Sequence, residues 1–339
     1  MTAEVVIVLL NWNRWRDTLE CLESVYNLDY SSFSVVVVDN ASTDDSRERI
    51  LEWVCARNRE PVGIKVAPKP PLVLDDDIGS FTSDALSHGE FVYVQSSHNG
   101  GFASGCNLGI RLALISNANY VWLLNNDTTV DPNALTGLVL KTESDKSTGM
   151  CGSLLCYYHD HDIVQAVGGV KFNYYRALGR QLGQGQRIDD PEIKRLSGKA
   201  PTYISGASML VRTDLFREIG LLEEGYFLYF EEIDFAERAR TSCKLAISID
   251  SVVFHKEGST IGTASLSARS PLSQYYLNRN LIRFYALRRP LLLPIALMRV
   301  CREMLACLLK QDFRLFGTTC KALFHSLTGR FGIYPLEKA

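Results

Sequence analysis

The sequence predicts an α/β chain organised around a mostly parallel central sheet flanked by helices, and three observations carry that expectation. Val5–Leu10 and Ser34–Val38 are continuous, largely β-branched apolar runs without polar alternation, as strands buried on both faces require. Between them, Leu19, Leu22, Val25 and Tyr26 recur at helical spacing, so the chain opens β-α-β. A third run, Val121–Leu124, ends abruptly in Asn125, Asn126 and Asp127 before the Asp131-Pro132 turn. It delivers hard oxygen donors to the carboxyl edge, where such sheets bind ligands, although an Asx-rich turn uses the same residues.

Taken in order, the first strand leads into a helix over Arg16–Tyr26, and the second strand ends at Asp39. A second helix follows, with Ser42 or Thr43 as its cap, acids at Asp44 and Asp45, and Ile50, Leu51 and Val54 facing inward. Residues 57–90 break every periodicity with Pro61, Gly63, Pro68, Pro70, Pro71 and Gly79, and read as an irregular insertion. Alternation resumes with a strand at Phe91–Gln95, a glycine-rich turn, a helix around Leu108–Ile115 and the Val121–Leu124 strand. The stretch 150–256 is mixed: Gly168-Gly169, a polar segment over Gly179–Lys199, and a strand-like Ala246–Phe254. The expected organisation is a domain over 1–270, with a nucleotide-binding half (1–140) and a half for a second substrate (141–270), then a helical extension over 271–339.

Hydrophobic content of 46% and charged content of 22% across 339 residues suit a globular chain with a sizeable core. A net charge of −2 argues against nucleic acid as the main partner. Nine cysteines without a CxxC pair fit free thiols in a reducing cytosol. The apolar start lacks a basic lead and is too short for a signal peptide, and Pro290–Met298 is far short of the roughly 18 residues that a membrane span needs. Between 288 and 330, eight Arg or Lys stand against two acids, interleaved with Leu, Phe and Met. That pattern suits either an anionic membrane surface or a helical cap with a solvated basic face.

Several segments carry chemistry. Asp39 sits at the end of the second strand, where a carboxylate accepts hydrogen bonds from a base or ribose. The glycines of Asn99-Gly-Gly-Phe-Ala-Ser-Gly-Cys-Asn107 let backbone approach a ligand, and the following helix offers N–H groups to an anion. Asn11-Trp-Asn-Arg-Trp15 after the first strand contains no glycine, which weighs against a dinucleotide-dependent dehydrogenase. Glu231, Glu232 and Asp234 follow an aromatic stretch and enter a helix; acids there are either raised in pKa for general-base work or favoured simply by the helix dipole. His255 ends a strand as a possible metal ligand. Asp75–Asp77 and His159–Asp162 are set aside as exposed, solvated loops.

In their order and spacing, Asp39–Asp44, Asn99–Asn107, Asn125–Asp127, Ser205–Leu210, Phe230–Asp234, His255 and Tyr276–Asn280 resemble the family 2 inverting glycosyltransferases, most closely the rhamnosyltransferase-like branch, over residues 4–285. The resemblance implies a glycosyltransferase A-type fold. It assigns Asp39 to the base or ribose, and Asn11, Asn40, Asp44, Asn99, Gly101, Phe102, Asn107, Asn125 and Asn126 to the donor site. Asp127 and His255 would hold Mg2+ or Mn2+ on the diphosphate, and Gly206, Ala207 and Arg279 would serve the acceptor. Glu232 would be the base, beside Glu231 and Asp234. Two departures stand out: Glu232 replaces the commoner Asp, and Asn125 replaces the first acid of the metal motif. The implied donor is a nucleoside-diphosphate sugar, dTDP-rhamnose favoured, and the acceptor a growing polysaccharide or lipid-linked glycan. The residue pattern adds a cytoplasmic setting, peripheral on the inner face of the cell membrane where residues 288–330 lie on it instead of capping the domain. Two other readings are weaker: a sugar nucleotidyltransferase needs a glycine-rich loop after the first strand, and an idle membrane-docking scaffold does not need acids at 39, 127 and 232.

Overall fold

The computed structural model describes residues 3–59, 72–75, 89–256 and 270–334. The chain opens with β1 (Val5–Asn11), α1 (Trp15–Val25), β2 (Phe33–Asp39) and α2 (Ser46–Arg59), followed by β3 (Leu72–Asp75), β4 (Phe91–Gln95), α3 (Gly101–Ile115) and β5 (Tyr120–Asn125). Next come β6 (Thr128–Val130), α4 (Ala134–Glu143), β7 (Thr148–Tyr157) and β8 (Asp160–Val167). A small sheet is built from β9 (Gly169–Asn173), β10 (Leu178–Gln181) and, after α5 (Pro191–Ser197), β11 (Tyr203–Ile204). Then follow β12 (Ser208–Arg212), α6 (Thr213–Ile219), α7 (Glu231–Ala239) and β13 (Lys244–His255). The C-terminal part is helical: α8 (Pro271–Arg288), α9 (Leu293–Leu309) and α10 (Phe313–Leu327).

The main sheet runs β3-β4-β2-β1-β5-β12-β7-β13-β6, with β8 paired to β7. From β3 to β5 every pairing is parallel, as is β7 with β13, whereas β12 lies antiparallel between β5 and β7. The apolar runs of β1 and β2 are explained by cover on both faces. Val5, Ile7 and Leu9 pack with Leu22, Ile50 and Leu135 on one side, while Val6 and Val8 pack with Ala103, Ile110 and Phe235 on the other. β1 has β2 on one flank and β5 on the other, so the strand order reverses at β1. The crevice beyond the strand ends at such a reversal is where open α/β sheets bind ligands.

The structure corrects several boundaries. The second helix starts at Ser46, and its first turn is fastened by Asp44, whose carboxylate accepts from the Ser46 N–H at 3.1 Å. Ser42 is not a cap; it binds Asn11 and Asn13 across the loop. The glycine-rich segment is not a turn before a helix but the first turns of α3 itself. Ala103, Cys106, Ile110 and Ala113 recur at helical spacing and are buried, so tertiary packing overrides the low helix propensity of glycine. Within the supposed insertion, 57–59 extend α2 and Leu72–Asp75 add a parallel edge strand, so Asp75 does end a sheet strand. Residues 60–71 and 76–88, including Asp76 and Asp77, lie outside the described residues. The polar segment after Gly179 carries the end of β10 and α5. His161 and Asp162 belong to β8 rather than to a loop, and are exposed as expected.

Candidate active site

The register aligns Asn11 with Asp39 and Leu10 with Asn125, so three polar strand ends meet at one edge. A chain of hydrogen bonds locks them. The Asn126 amide donates to Thr18 Oγ1 at 2.9 Å, that hydroxyl donates to Asn11 Oδ1 at 2.8 Å, and the Asn11 amide donates to Asp39 Oδ2 at 2.8 Å. Asp39 Oδ1 accepts from the Ser42 N–H and the Gln95 amide. Asn11 and Asp39 are both buried and do not line the pocket described next, so they act here as the frame of the edge. Gln95 and Thr18 carry no sequence signal for this role.

Above the edge lies a pocket of about 410 Å³, within the usual range for small-molecule sites. It is lined by Asn40, Asn99, Gly101 and Phe102, by Asn125, Asn126, Asp127 and His255, and by Gly206, Ala207, Glu231 and Glu232. Asn40 ties β2 to α3: its amide donates to Asn99 Oδ1 at 2.9 Å and its oxygen accepts from the Gly100 N–H. Gly101 has a positive φ, and a Cβ there would collide with the Phe227 carbonyl. The expected anion cradle at this helix start is largely occupied from within the protein. The Gly101 N–H goes to Asn99 Oδ1 and the Phe102 N–H to the Phe227 carbonyl.

His255, at the end of β13, brings its Nε2 to 3.2 Å from Asp127 Oδ1. Its Nδ1 lies 3.0 Å from Gln165 Oε1. An amide oxygen only accepts, so Nδ1 carries a proton and Nε2 faces the carboxylate. With its proton on Nδ1, the ring aims the Nε2 lone pair at Asp127, an arrangement that a shared cation relieves. Three acids, Asp127, Glu231 and Glu232, line the pocket, and no Lys or Arg does so among the described residues. The nearby Lys256 is engaged with Asp17 and Glu20, each at 2.6 Å. A diphosphate would therefore meet net negative charge without a divalent ion, and the oxygen and imidazole donors present fit Mg2+ or Mn2+. Among the described residues no three His, Cys, Asp or Glu side chains group to hold a metal, so substrate oxygens and water would complete its coordination.

Glu231 and Glu232 open α7, directly after a turn in which Phe227, Tyr229 and Phe230 all have positive φ. Non-glycine residues in that region typically store about 1–3 kcal/mol each and persist only where the surroundings enforce them. The enforcing group is Asn280, whose amide donates to the carbonyls of Tyr226, Leu228 and Tyr229, while Arg279 donates to those of Gly225 and Tyr226. Burial raises Glu231 well above the usual carboxylate range, with the adjacent Glu232 charge adding to it. Burial also raises Glu232, opposed by the Gly206 N–H. A Cβ at Gly206 would stand 2.5 Å from Glu232 Oε1, so any larger residue there would displace that carboxylate.

Besides Asp44, which is exposed, lies outside the pocket and serves the start of α2, three residues assigned to the site face elsewhere. Asn107 is buried against Leu222 and Glu224, pinning α3 to the loop before α7. Asp234 is fully buried, accepting from Tyr226, Arg238 and Arg288, and fastens α7 to α8. Arg279 is buried on backbone carbonyls and does not reach the pocket. Conversely, Trp12, Gln165, Leu272 and Tyr334 line the pocket without having been singled out. Only tertiary contact assigns them.

A crevice at the carboxyl edge of a mixed α/β sheet, with an Asx-rich strand end on one side and a buried acid pair on the other, is the architecture of a glycosyltransferase A-type protein. The family model for glycosyl transferase family 2 matches residues 6–69 and 76–220, and the chain belongs to that family. A low-salt glycan biosynthesis hexosyltransferase of Haloferax volcanii is 26% identical over 170 residues, 50% of this chain and 52% of the relative, so the match spans about half of either protein. Among solved structures, GalNAc-T7 with UDP, GalNAc and Mn2+ superposes with a TM-score of 0.56 at 16% identity, covering 84% of this chain and 48% of that one. The mannosyltransferase PcManGT of Pyrobaculum calidifontis, with GDP-Man and Mn2+, superposes at 0.54 and 14% identity, covering 96% and 88%. At these identities the likeness is one of fold.

Proposed function

We propose that the protein is an inverting glycosyltransferase that moves a hexose, with rhamnose from dTDP-rhamnose favoured, onto a hydroxyl of a growing cell-envelope polysaccharide or lipid-linked glycan. The observation that carries this reading is the single pocket that joins the Asn125–Asp127 edge and His255 to the buried Glu231–Glu232 pair. Asn40, Asn99, Asn125 and Asn126 would orient the donor. Asp127 and His255 would hold Mg2+ or Mn2+, which when bound neutralises charge on the leaving diphosphate. Both structural neighbours were solved with Mn2+, in agreement with that assignment.

Glu232, its pKa raised by burial, is suited to take the acceptor hydroxyl's proton as that oxygen bonds to the anomeric carbon. The bond from that carbon to the phosphate oxygen breaks with its electron pair, releasing the nucleoside diphosphate. A single in-line displacement of this kind inverts the anomeric configuration. Gly206 and Ala207 face Glu232 and would border the acceptor. The apolar wall of Trp12, Phe102, Phe227 and Tyr276 suits the methyl group of a 6-deoxyhexose. In a cell such an enzyme would work peripherally, on the inner face of the membrane.

The test is direct. Asp127→Ala and Glu232→Gln should each abolish transfer, with circular dichroism unchanged. Turnover like wild type in Glu232→Gln would remove it as the base. A thermal-shift screen of nucleotide sugars with and without Mn2+ would identify the donor, because a ligand that binds the native state raises its stability with occupancy.

A further inference from the structure

Helices normally turn their apolar stripe inward and a polar face outward. α9 and α10 do the reverse along part of their lengths. On α9 the outward stripe carries Leu291 just before the helix, Met298, Leu305 and Leu309, with Leu291 93% and Leu309 77% exposed. On the neighbouring α10 it carries Phe313, Phe324 and Leu327, at 69%, 55% and 68% exposed. Phe331 and Ile333 prolong this surface beyond the helix. Large apolar side chains left exposed in this number on two packed helices mark an interaction site.

The charge around it identifies the partner. Residues 288–330 hold eight Arg or Lys against two acids, in a chain whose net charge is −2. Arg288 and Arg289 are used inside the protein, on Asp234 and Glu237. Arg302, Lys310 and Arg314 are exposed beside the apolar stripes. Exposed apolar side chains fringed by basic ones match the headgroup region of an anionic bilayer. A symmetric second copy would instead set the same basic surface against itself. Among the described residues no helix is long and apolar enough to cross a membrane, so the contact would be peripheral.

We infer that the outward face of α9 and α10 docks on a bilayer carrying anionic lipid, with Leu305, Leu309, Phe313 and Leu327 entering the interface. The segment from Phe331 to Tyr334 then links membrane to pocket. Ile333 and Tyr334 line the pocket, and Tyr334 is held by a 2.7 Å bond from its N–H to Tyr276 Oη, while Arg279 Nη1 donates to the Gly332 carbonyl. A lipid-linked acceptor would thereby reach the pocket from the surface on which the enzyme rests. Docking itself follows from the surface and does not rest on the proposed transfer.

The experiment is co-flotation of the full chain, without nucleotide sugar, with vesicles of phosphatidylcholine alone or mixed with phosphatidylglycerol. Wild type should float with the mixed vesicles and lose binding as salt rises. The triple variant Arg302→Gln/Lys310→Gln/Arg314→Gln should bind about 100-fold more weakly, roughly 5-fold for each basic residue removed. The variant Leu309→Gln/Phe313→Gln should lose at least about 10-fold. All five positions are exposed, so circular dichroism should be unchanged. Absence of wild-type flotation, equal binding to both vesicle types, or variants that float like wild type would overturn the proposal. So would a stable dimer of wild type that the apolar variant dissociates, since a second copy would then be the occupant.

Discussion

Asn280→Ala is the perturbation from which most of the site's construction can be read. The amide lies on three carbonyls, Tyr226, Leu228 and Tyr229, at 2.9, 2.7 and 3.0 Å, and its oxygen accepts from Arg279 Nε at 2.9 Å. Two amide hydrogens shared by three acceptors amount to two bonds, worth about 1 kcal/mol each, and the bond from a guanidinium adds roughly 2. The loss is about 4 kcal/mol, a large share of an ordinary native stability of about 5–15 kcal/mol. For a chain of this size that corresponds to a fall in Tm of about 6 °C. Without the amide, the strained turn at 227–230 relaxes and carries Glu231 and Glu232 with it. Displacement of a catalytic group by about 1 Å typically lowers kcat about 100-fold. The assay is a thermal melt beside donor-dependent turnover, with Asn278→Ala as comparator, since that amide bonds within its own helix, to the Gln274 carbonyl. A melting point within about 2 °C of wild type would refute the reasoning.

Gly206→Ala places a methyl 2.5 Å from Glu232 Oε1; kcat should fall about 100-fold while the melting point barely moves, and unchanged kcat would show that the carboxylate is not held there. Burial raises the Glu231 pKa above its unfolded value, so its contribution to stability is present below the ordinary glutamate value near 4.3 and is lost as pH rises through the folded value. Glu231→Gln should therefore raise Tm over wild type by more at pH 8 than at pH 5, and an equal difference at both would contradict the buried acid. Because Glu232 must be ionised to accept a proton, and burial raises it, the acidic limb of the wild-type kcat/KM profile should lie above the ordinary glutamate value near 4.3; a profile flat down to that pH would contradict the assignment. The thermal shift given by a nucleoside diphosphate should require Mn2+ and shrink in His255→Ala; a full shift in chelator would remove the metal from the donor site.

The elements that were legible from residues alone are those whose burial is local. β4 falls on the expected residues, and β1, β2 and β5 extend the expected runs by only a residue or so at their ends. A strand covered on both faces leaves a continuous apolar record, as in β1, and a polar residue that ends it, such as Asp39 or Asn125, marks the sheet edge. The start of α3 was misjudged because its glycines lie against the sheet rather than in a turn. β3 was missed because its four residues stand alone between segments without periodicity. In the site, Asp127 and the Glu231–Glu232 pair were visible as acids at element ends. The framing by Gln95, the second hydrogen bond of His255 to Gln165, and the hold of Asn280 on the strained turn were not, since each joins residues distant in sequence.

By itself, then, the sequence determined that this is an α/β chain whose strand ends bear an amide-rich edge and whose later half supplies an acid pair, because burial patterns and helix starts are written in neighbouring residues. Strand order decided the rest. Placing β1 between β2 and β5, and β12 between β5 and β7, brought Glu232 and Gly206 over Asp127 and turned Asn107, Asp234 and Arg279 into fasteners. Whether a polar side chain faces a ligand or a backbone carbonyl depends on which distant element lies beside it, and only the packed structure supplies that neighbour.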